Sequence, residues 1–270
     1  MNMVNETFGR DDSGVRTNYW GAYAADPPVV SDQSKETGDL YFNTVSRTMK
    51  VLNETRQAWI SVGPPKFGDD FIGPYLDEYK WEKFVNGGGS VDTLHGLDSV
   101  VGGYVRLRDP GGAGNNSASI YPGENLFTQK GVLAMFICKL KLNTVAAAKG
   151  TRVRAILHNS GDFNDVGDWF GFEFDAVGSV NWRLRSTEGG NPVVENATVN
   201  VAPVATQDIV LVIVMSQGVA YGYVDGVLIG TISAANLTAE QLEPRFHVDD
   251  GAVAPGTSID LDVDYILVYQ

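Results

Sequence analysis

An all-β fold with a small N-terminal appendage is what this chain predicts, and three observations carry the prediction. Glycine is abundant, at 31 of 270 residues, and β-branched and aromatic residues fill short runs bounded by turn residues. Apolar residues in the most regular stretches recur with period two. Helical patterning is nearly missing. Thr238-x-x-Gln241 has the form of a capping box, but Pro244 limits any helix there to about two turns. Thr144–Gly150 reads as a loop with one helical turn at most.

The most regular stretch is GDWFGFEFDAVGSVNWRLR, residues 167–185. Its first half sets Phe170, Phe172 and Phe174 on one face and Trp169, Glu173 and Asp175 on the other. Its second half sets Trp182 and Leu184 against Asn181, Arg183 and Arg185. A two-residue turn at Val177-Gly178 would put Phe172 beside Arg183 and Phe174 beside Asn181, mixing core with solvent. A three-residue turn, Val177-Gly178-Ser179, instead pairs Phe174 with Trp182, Phe172 with Leu184 and Glu173 with Arg183. It also places a glycine where a left-handed residue is needed. The polar face has two readings. It is a polysaccharide cleft, with a ring to stack on sugar and carboxylates to bond its hydroxyls, or a half-solvated sheet face with a Glu173–Arg183 pair worth about 0.2–1 kcal/mol. The pattern by itself favours the half-solvated face.

In chain order, residues 1–62 form a separate compositional region. It is polar and turn-rich to Glu36, then a meander of Asp39–Asn43, Thr48–Leu52 and Ala58–Val62. Three short strands bury little, so this piece is expected to pack on a partner or to trimerise. Gly63-Pro64-Pro65-Lys66 is a stiff linker. Residues 67–270 carry further strands at Gly103–Pro110, Gly131–Leu142 and Asp208–Ile232, the last with a two-residue hairpin turn at Asp225-Gly226. The closing strand, SIDLDVDYILVYQ, places Asp260, Asp262 and Asp264 on one face and Ile259, Leu261, Val263 and Tyr265 on the other. Carboxylates two residues apart repel, so that face is solvated, salt-bridged or metal-bound, and a solvated outer face is the simplest expectation.

A net charge of −13 and a pI near 4.6 argue against an electropositive groove for phosphate backbones, and no nucleic-acid partner is expected. The longest apolar run, Ile209–Met215, is far too short to span a bilayer, and the opening residues show no secretory signal. The lone Cys138 lies in an apolar strand and reads as a buried thiol. His95, His158 and His247 are isolated, without HxH or HExxH spacing, so neither a zinc site nor a serine–histidine triad is expected and surface or strand positions are. Asp162, Asp165 and Asp168, in NSGDFNDVGDW, read as a solvated acidic loop. They are also candidates for a substitute catalytic acid or for Ca²⁺ ligands, although without EF-hand spacing.

Two resemblances extend these readings. GAYAADPP followed by TGDLYFNTVSRTMKVLNETRQAWISVG, about residues 20–63, resembles a module of bacteriophage tail fibres and other virion appendages, where it precedes a variable distal domain. Asp69-Asp70-Phe71 followed by Tyr79-Lys80-Trp81, together with the later strands and the closing DYILVY, resembles the concanavalin-like jelly rolls of lectins and family 16 glycoside hydrolases. This second likeness covers about residues 67–270. Together they imply a jelly-roll sandwich with a small β appendage, in a virion protein that attaches to capsid or tail proteins through residues 1–62. By the first likeness the protein is a trimer located on the virion. Residues 67–270 would contact host-surface polysaccharide through Trp169, Glu173, Asp175 and Arg183.

The family 16 resemblance also implies an E-x-D-x-E or E-x-D-x-x-E catalytic strand. Glu173 matches its nucleophile and Asp175 its helper, but the acid/base position falls on Val177 or Gly178, neither of which holds a proton to give. The expectation from that gap is no enzymatic activity. The same resemblance gives Asp264 a role in binding a structural Ca²⁺. Two alternatives stay open: a capsid decoration protein without sugar binding, and an endo-acting glycoside hydrolase or depolymerase.

Overall fold

The computed structural model describes residues 19–23, 25–26, 40–43, 48–52, 59–61, 67–69, 71, 76–77, 80–94, 103–111, 116–122, 134–143, 145, 152–159, 168–176, 178–188, 191–196, 199–216, 219–233, 242–249 and 258–269. Every regular element among them is a strand, and the strands form three sheets.

The N-terminal sheet has the order β1 (Tyr19–Tyr23), β2 (Leu40–Asn43), β3 (Thr48–Leu52), β4 (Trp59–Ser61). The meander expected from the alternation is β2–β4. β1 is an addition, pairing parallel to β2 with a register irregularity, in a stretch where the sequence shows no usable period. Lys50 reaches back to Asp26 at 2.5 Å. The linker and the capping-box segment lie outside the described residues, as do all but Val145 of residues 144–150.

The remaining strands make a sandwich. One sheet, called the back sheet, takes its strands in the order β17 (Val227–Ile232), β16 (Val219–Val224), β15 (Asp208–Ser216), β10 (Ala134–Leu142), β19 (Ile259–Tyr269), β8 (Tyr104–Asp109), β7 (Ser90–Leu94), with β5 (Phe67–Asp69) also on β19. The facing front sheet runs β14 (Asn191–Asn196), β13 (Arg183–Glu188), β12 (Trp169–Asp175), β11 (Arg152–His158), β18 (Glu243–Asp249), β9 (Ser117–Tyr121), β6 (Glu82–Asn86). Both sheets are antiparallel throughout the described residues. Between them lies one continuous core, to which Phe170, Phe172, Phe174, Trp182, Phe246 and Val153 contribute from the front and Phe136, Cys138, Leu211, Ile213 and Leu261 from the back. Phe136 and Phe246 meet across it at 6.2 Å between ring centroids. Burial pushes the Cys138 thiol well up, so it stays a protonated core side chain.

Local chemistry explains several elements. Asp69 ties the opening of the sandwich together: it accepts from the Phe71 amide at 3.0 Å and from Trp81 Nε1 at 2.7 Å, and pairs with Lys80 at 3.0 Å. Asp225 and Gly226 both take positive φ, 46° and 78°, which is the two-residue turn their sequence signals. The β12–β13 ladder has the expected register, with Phe172 opposite Leu184 and Glu173 opposite Arg183. The turn is longer than three residues, however. The ladder stops at that pair, and residues 176–182 form the connection. Ser179 closes it by donating to the Asp175 carbonyl at 2.7 Å, and Trp182 donates to Val201 at 2.8 Å. Gly178 adopts no left-handed conformation there. The Trp182 amide is drawn to another segment, yet its ring still packs on Phe174 at 5.8 Å.

The closing strand departs from simple alternation. Lys139 faces Tyr265 while Leu140 faces Val263, so Asp264 is one residue too many for the ladder. The bulge moves the core position from Tyr265 to Ile266, which is fully buried while Tyr265 is only half-buried. Before the bulge, the outward carboxylates are salt-bridged rather than solvated. Asp260 takes Arg108 and Asp262 takes Arg106, each through two bonds of 2.6–2.9 Å, and both acids are buried. After it, the outer surface turns apolar, with Met135, Val214, Tyr223, Leu228 and Tyr269 clustered.

Candidate functional site on the front sheet

The outward positions of the front sheet assemble the polar groups into rows, because strands β12, β11 and β18 pair without a slip. One row reads Arg183, Glu173, Arg154, His247, Ser119 across five strands. The next reads Asp175, Arg152, Asp249, Ser117. Further along lie Trp169, His158 and Glu243.

Glu173 is the hub. It is 1% exposed. Arg154 Nε donates to its Oε2 at 2.8 Å, Arg183 donates to Oε1 at 2.8 Å, and Arg185 also bonds Oε1. Burial pushes this carboxyl up, but the charges and hydrogen bonds of Arg154 and Arg185 outweigh it, so Glu173 lies below the usual carboxylate range and is ionised. Asp175 is more open, with its side chain 26% exposed, 3.8 Å from Arg183 and accepting the Gly178 amide at 3.2 Å. The Trp169 ring is 3% exposed and has the guanidinium groups of Arg154 and Arg185 at 5.3 and 5.9 Å from its centroid. The four residues predicted together, Trp169, Glu173, Asp175 and Arg183, do share one face. It is a buried charge network rather than the half-solvated surface that the alternation favours: a strand pattern shows which face a side chain takes, not how many neighbours converge on it.

The sequence reading misses the partners from non-adjacent strands. Arg154 is one. His247 is another: its Nε2–H donates to Asp249 Oδ2 at 2.7 Å, and the Ser119 hydroxyl donates to its Nδ1 at 2.6 Å. Of the histidines expected to be isolated and at surface or strand positions, His158 and His247 do lie on strands, but both are buried, and His247 is not isolated, being bonded on both sides. His-x-Asp at 247 and 249 is a same-face signal that period two offers, but Ser119 comes from a strand more than a hundred residues away. This serine–histidine–aspartate chain anchors the sheet: Ser119 is fully buried, so its hydroxyl has no route to a substrate. Asp249 also receives Arg152 Nε at 2.8 Å. Burial opposes its ionisation, but His247 and Arg152 hold it far below the usual range. Burial lowers the His247 pKa and keeps the ring neutral despite the Asp249 bond.

Glu243 behaves oppositely. Burial pushes its carboxyl up to about 7, only partly offset by Arg245 at 3.3 Å. The sign follows: the unfolded chain releases this proton near pH 4–5, while the folded chain keeps it to about 7. Stability from this group is complete below the unfolded value and is lost as pH rises toward and past 7. Glu243→Gln is expected to remove that slope, flattening the change in unfolding free energy between pH 5 and pH 8 by on the order of 2–3 kcal/mol. Urea titrations of both proteins at the two pH values check this, and an unchanged slope would refute it.

The other predicted positions lie elsewhere. Asp168 immediately precedes β12, its amide donating to the Asn159 side chain at 3.0 Å. Asp162, Asp165 and His95 are outside the described residues. Asp264 is on the back sheet and pairs with Lys139 at 2.7 Å, which also reaches Asp208 at 3.1 Å. The two carboxylates hold the Lys139 ammonium charged against burial. No group of three His, Cys, Asp or Glu side chains placed to hold a metal occurs among the described residues.

Comparison with known proteins settles the fold. No protein-family model matches the sequence, and no curated protein matches it. Solved structures do match. A Bacillus licheniformis β-glucanase superposes with a TM-score of 0.55 at 15% identity, covering 77% of this chain and 99% of that one. A Bacteroides ovatus mixed-linkage-glucan GH16 protein in complex with its product gives 0.56 at 13%, covering 75% and 99%. An endo-acting O-glycanase of the human gut microbiota, which initiates mucin breakdown, gives 0.55 at 14%, covering 76% and 99%.

The sandwich is a concanavalin-like jelly roll, the fold shared by these solved glycanase structures. This bears out the fold expected from the sequence. It overturns the expected function: the similar structures are glucanases and endo-glycanases, and nothing in the comparisons points to a virion appendage. The expectation of no enzymatic activity falls with it. That expectation rested on one strand's spacing, and carboxylates reach this face from other strands, which single-strand spacing does not register.

Proposed function

We propose that this chain is an endo-acting glycoside hydrolase that takes polysaccharide across the outer face of the front sheet. The observation that carries the reading is Glu173, a carboxylate kept ionised on the third strand of that face, in a jelly roll of the glycanase type. An ionised carboxylate is what a retaining mechanism needs for attack at the anomeric carbon. Glu173 is 1% exposed, so in this reading the arginines over it, of which Arg185 is the most open, must shift for a sugar to reach it. Asp175, two residues on and more open, is placed to orient it. Proton donation to the leaving oxygen falls to a group outside this strand, since Val177 and Gly178 lack one. Register sets Glu243 two strands and four residues from Glu173, roughly 16 Å between Cα atoms. That is beyond the roughly 5–5.5 Å carboxyl separation of a retaining pair. The donor in this proposal therefore belongs to the loops bordering β12, where Asp162 and Asp165 lie in sequence. The N-terminal sheet is proposed to be a separate module from the hydrolase domain.

The test uses the native chain. Incubation with mixed-linkage β-glucan, β-1,3-glucan, mucin glycans and charged polysaccharides is expected to release new reducing ends from at least one. A matching 2-deoxy-2-fluoro oligosaccharide is expected to leave a covalent adduct, which peptide mass spectrometry places on Glu173. Folded protein that cleaves none of these polymers, or an adduct on another residue, would overturn the reading.

A further inference from the structure

We infer that the polysaccharide is a polyanion, carrying uronate carboxylates or sulfate esters that the arginines of this face recognise; the inference rests on the glycan-acting reading above. The chain as a whole repels polyanions, with a net charge of −13. The outward positions of β11, β12 and β13 run against that average. Arg152, Arg154, Arg183 and Arg185 stand there, against the carboxylates of Glu173 and Asp175 and of Asp249, which Arg152 bonds from the neighbouring strand. Three of the four guanidinium groups converge on the single carboxylate of Glu173.

A site for neutral sugar has no use for such an excess. Hydroxyl groups are served by neutral amides and carboxylates, and each buried guanidinium adds a desolvation cost. A planar guanidinium matches a carboxylate or sulfate through paired N–H bonds, which makes arginine the side chain of choice for such groups. The positions grade outward as recognition requires. Arg154 and Arg183 are nearly buried, at 8% and 11% side-chain exposure, whereas Arg185 and Arg152 reach solvent at 16% and 28%. Arg152 sits between Asp175 and Asp249 in its row, next to the most open carboxylate of the site. Trp169 lies beside Arg154 and Arg185, with both guanidinium carbons within cation–π range of its ring.

The experiment compares one backbone with and without charge. Affinity electrophoresis of the full chain is run in gels holding β-1,3-glucan, its carboxymethyl derivative or its sulfated derivative, with polygalacturonate and a sulfated galactan as natural polymers. Retardation by at least one charged polymer is expected to be tenfold or more above the neutral backbone, and to weaken as salt is raised. Carboxymethyl against sulfated arms tell which anion is read. Arg152→Gln is expected to lower the charged-polymer affinity several-fold and Arg152→Lys less. Because Arg152→Gln also takes a partner from buried Asp249, binding is compared for variants whose urea unfolding curves show them fully folded under the gel conditions. Equal or tighter binding of the neutral glucan, or Arg152→Gln binding as the parent does, would overturn the inference. Neutral glucan that is both bound and cleaved would leave the hydrolase reading standing and sink this one. A polyanion held but never cleaved would do the reverse.

Discussion

Glu173→Gln is expected to lower the unfolding free energy by about 3–5 kcal/mol, the largest effect of any single polar substitution in this chain. The carboxylate is 1% exposed and receives Arg154, Arg183 and Arg185. An amide keeps most of the volume but removes the charge that compensates them. The cost therefore comes from like-charged groups left together under low solvent exposure, not from a cavity. A second substitution separates these causes. In Glu173→Gln combined with Arg185→Gln, one of the three cations is gone, and part of the lost stability should return as a coupling of roughly 1–3 kcal/mol. Urea unfolding of the four proteins of the cycle measures it. Strict additivity would mean that the network is held by shape and hydrogen bonding alone. The same variant should fail to form the glycosyl adduct, and because stability and adduct are read separately, a folding defect cannot pass for a catalytic one.

Trp182→Ala is expected to cost about 3–5 kcal/mol, as removal of a large buried aromatic does. The ring is fully buried and packs on Phe174. Trp182→Phe should cost far less than the alanine change. The indole Nε1–H has no hydrogen-bond partner among the described residues, so phenylalanine gives up volume but no bond. Thermal or urea unfolding of the two variants checks the contrast. Equal losses would show that the indole nitrogen is bonded after all. The backbone of this residue matters separately, since its amide bonds Val201 and thereby fixes the path of the connection from β12 to β13.

Much of the fold is legible before any coordinates. Phe170, Phe172 and Phe174 against Trp182 and Leu184 specify both the core face and the register of β12 with β13, because a one-residue slip would turn every ring to the wrong side. Asp225-Gly226 specifies its own turn, since both residues tolerate positive φ. The bulge at Asp264 is not legible. Alternation continues through DVDY as written, and only the pairing with Lys139 and Leu140 shows that one residue is extra. Neither is the turn at 176–182, whose length depends on where the Trp182 amide finds its acceptor.

The site divides the same way. The sequence by itself determined that Glu173, Asp175, Trp169 and Arg183 lie on one face of adjacent strands, because side chains alternate and the phenylalanines claim the other face. Only the tertiary structure decided what those groups are. Arg154 comes from the neighbouring strand, and His247, Asp249 and Ser119 from strands far along the chain. Their convergence turned a pattern that reads as solvated into a buried network with Glu173 ionised and Glu243 holding its proton near pH 7. Protonation and burial depend on every charge within a few ångströms, and in a sandwich of antiparallel strands those charges come from segments whose order along the chain says little about who their neighbours are.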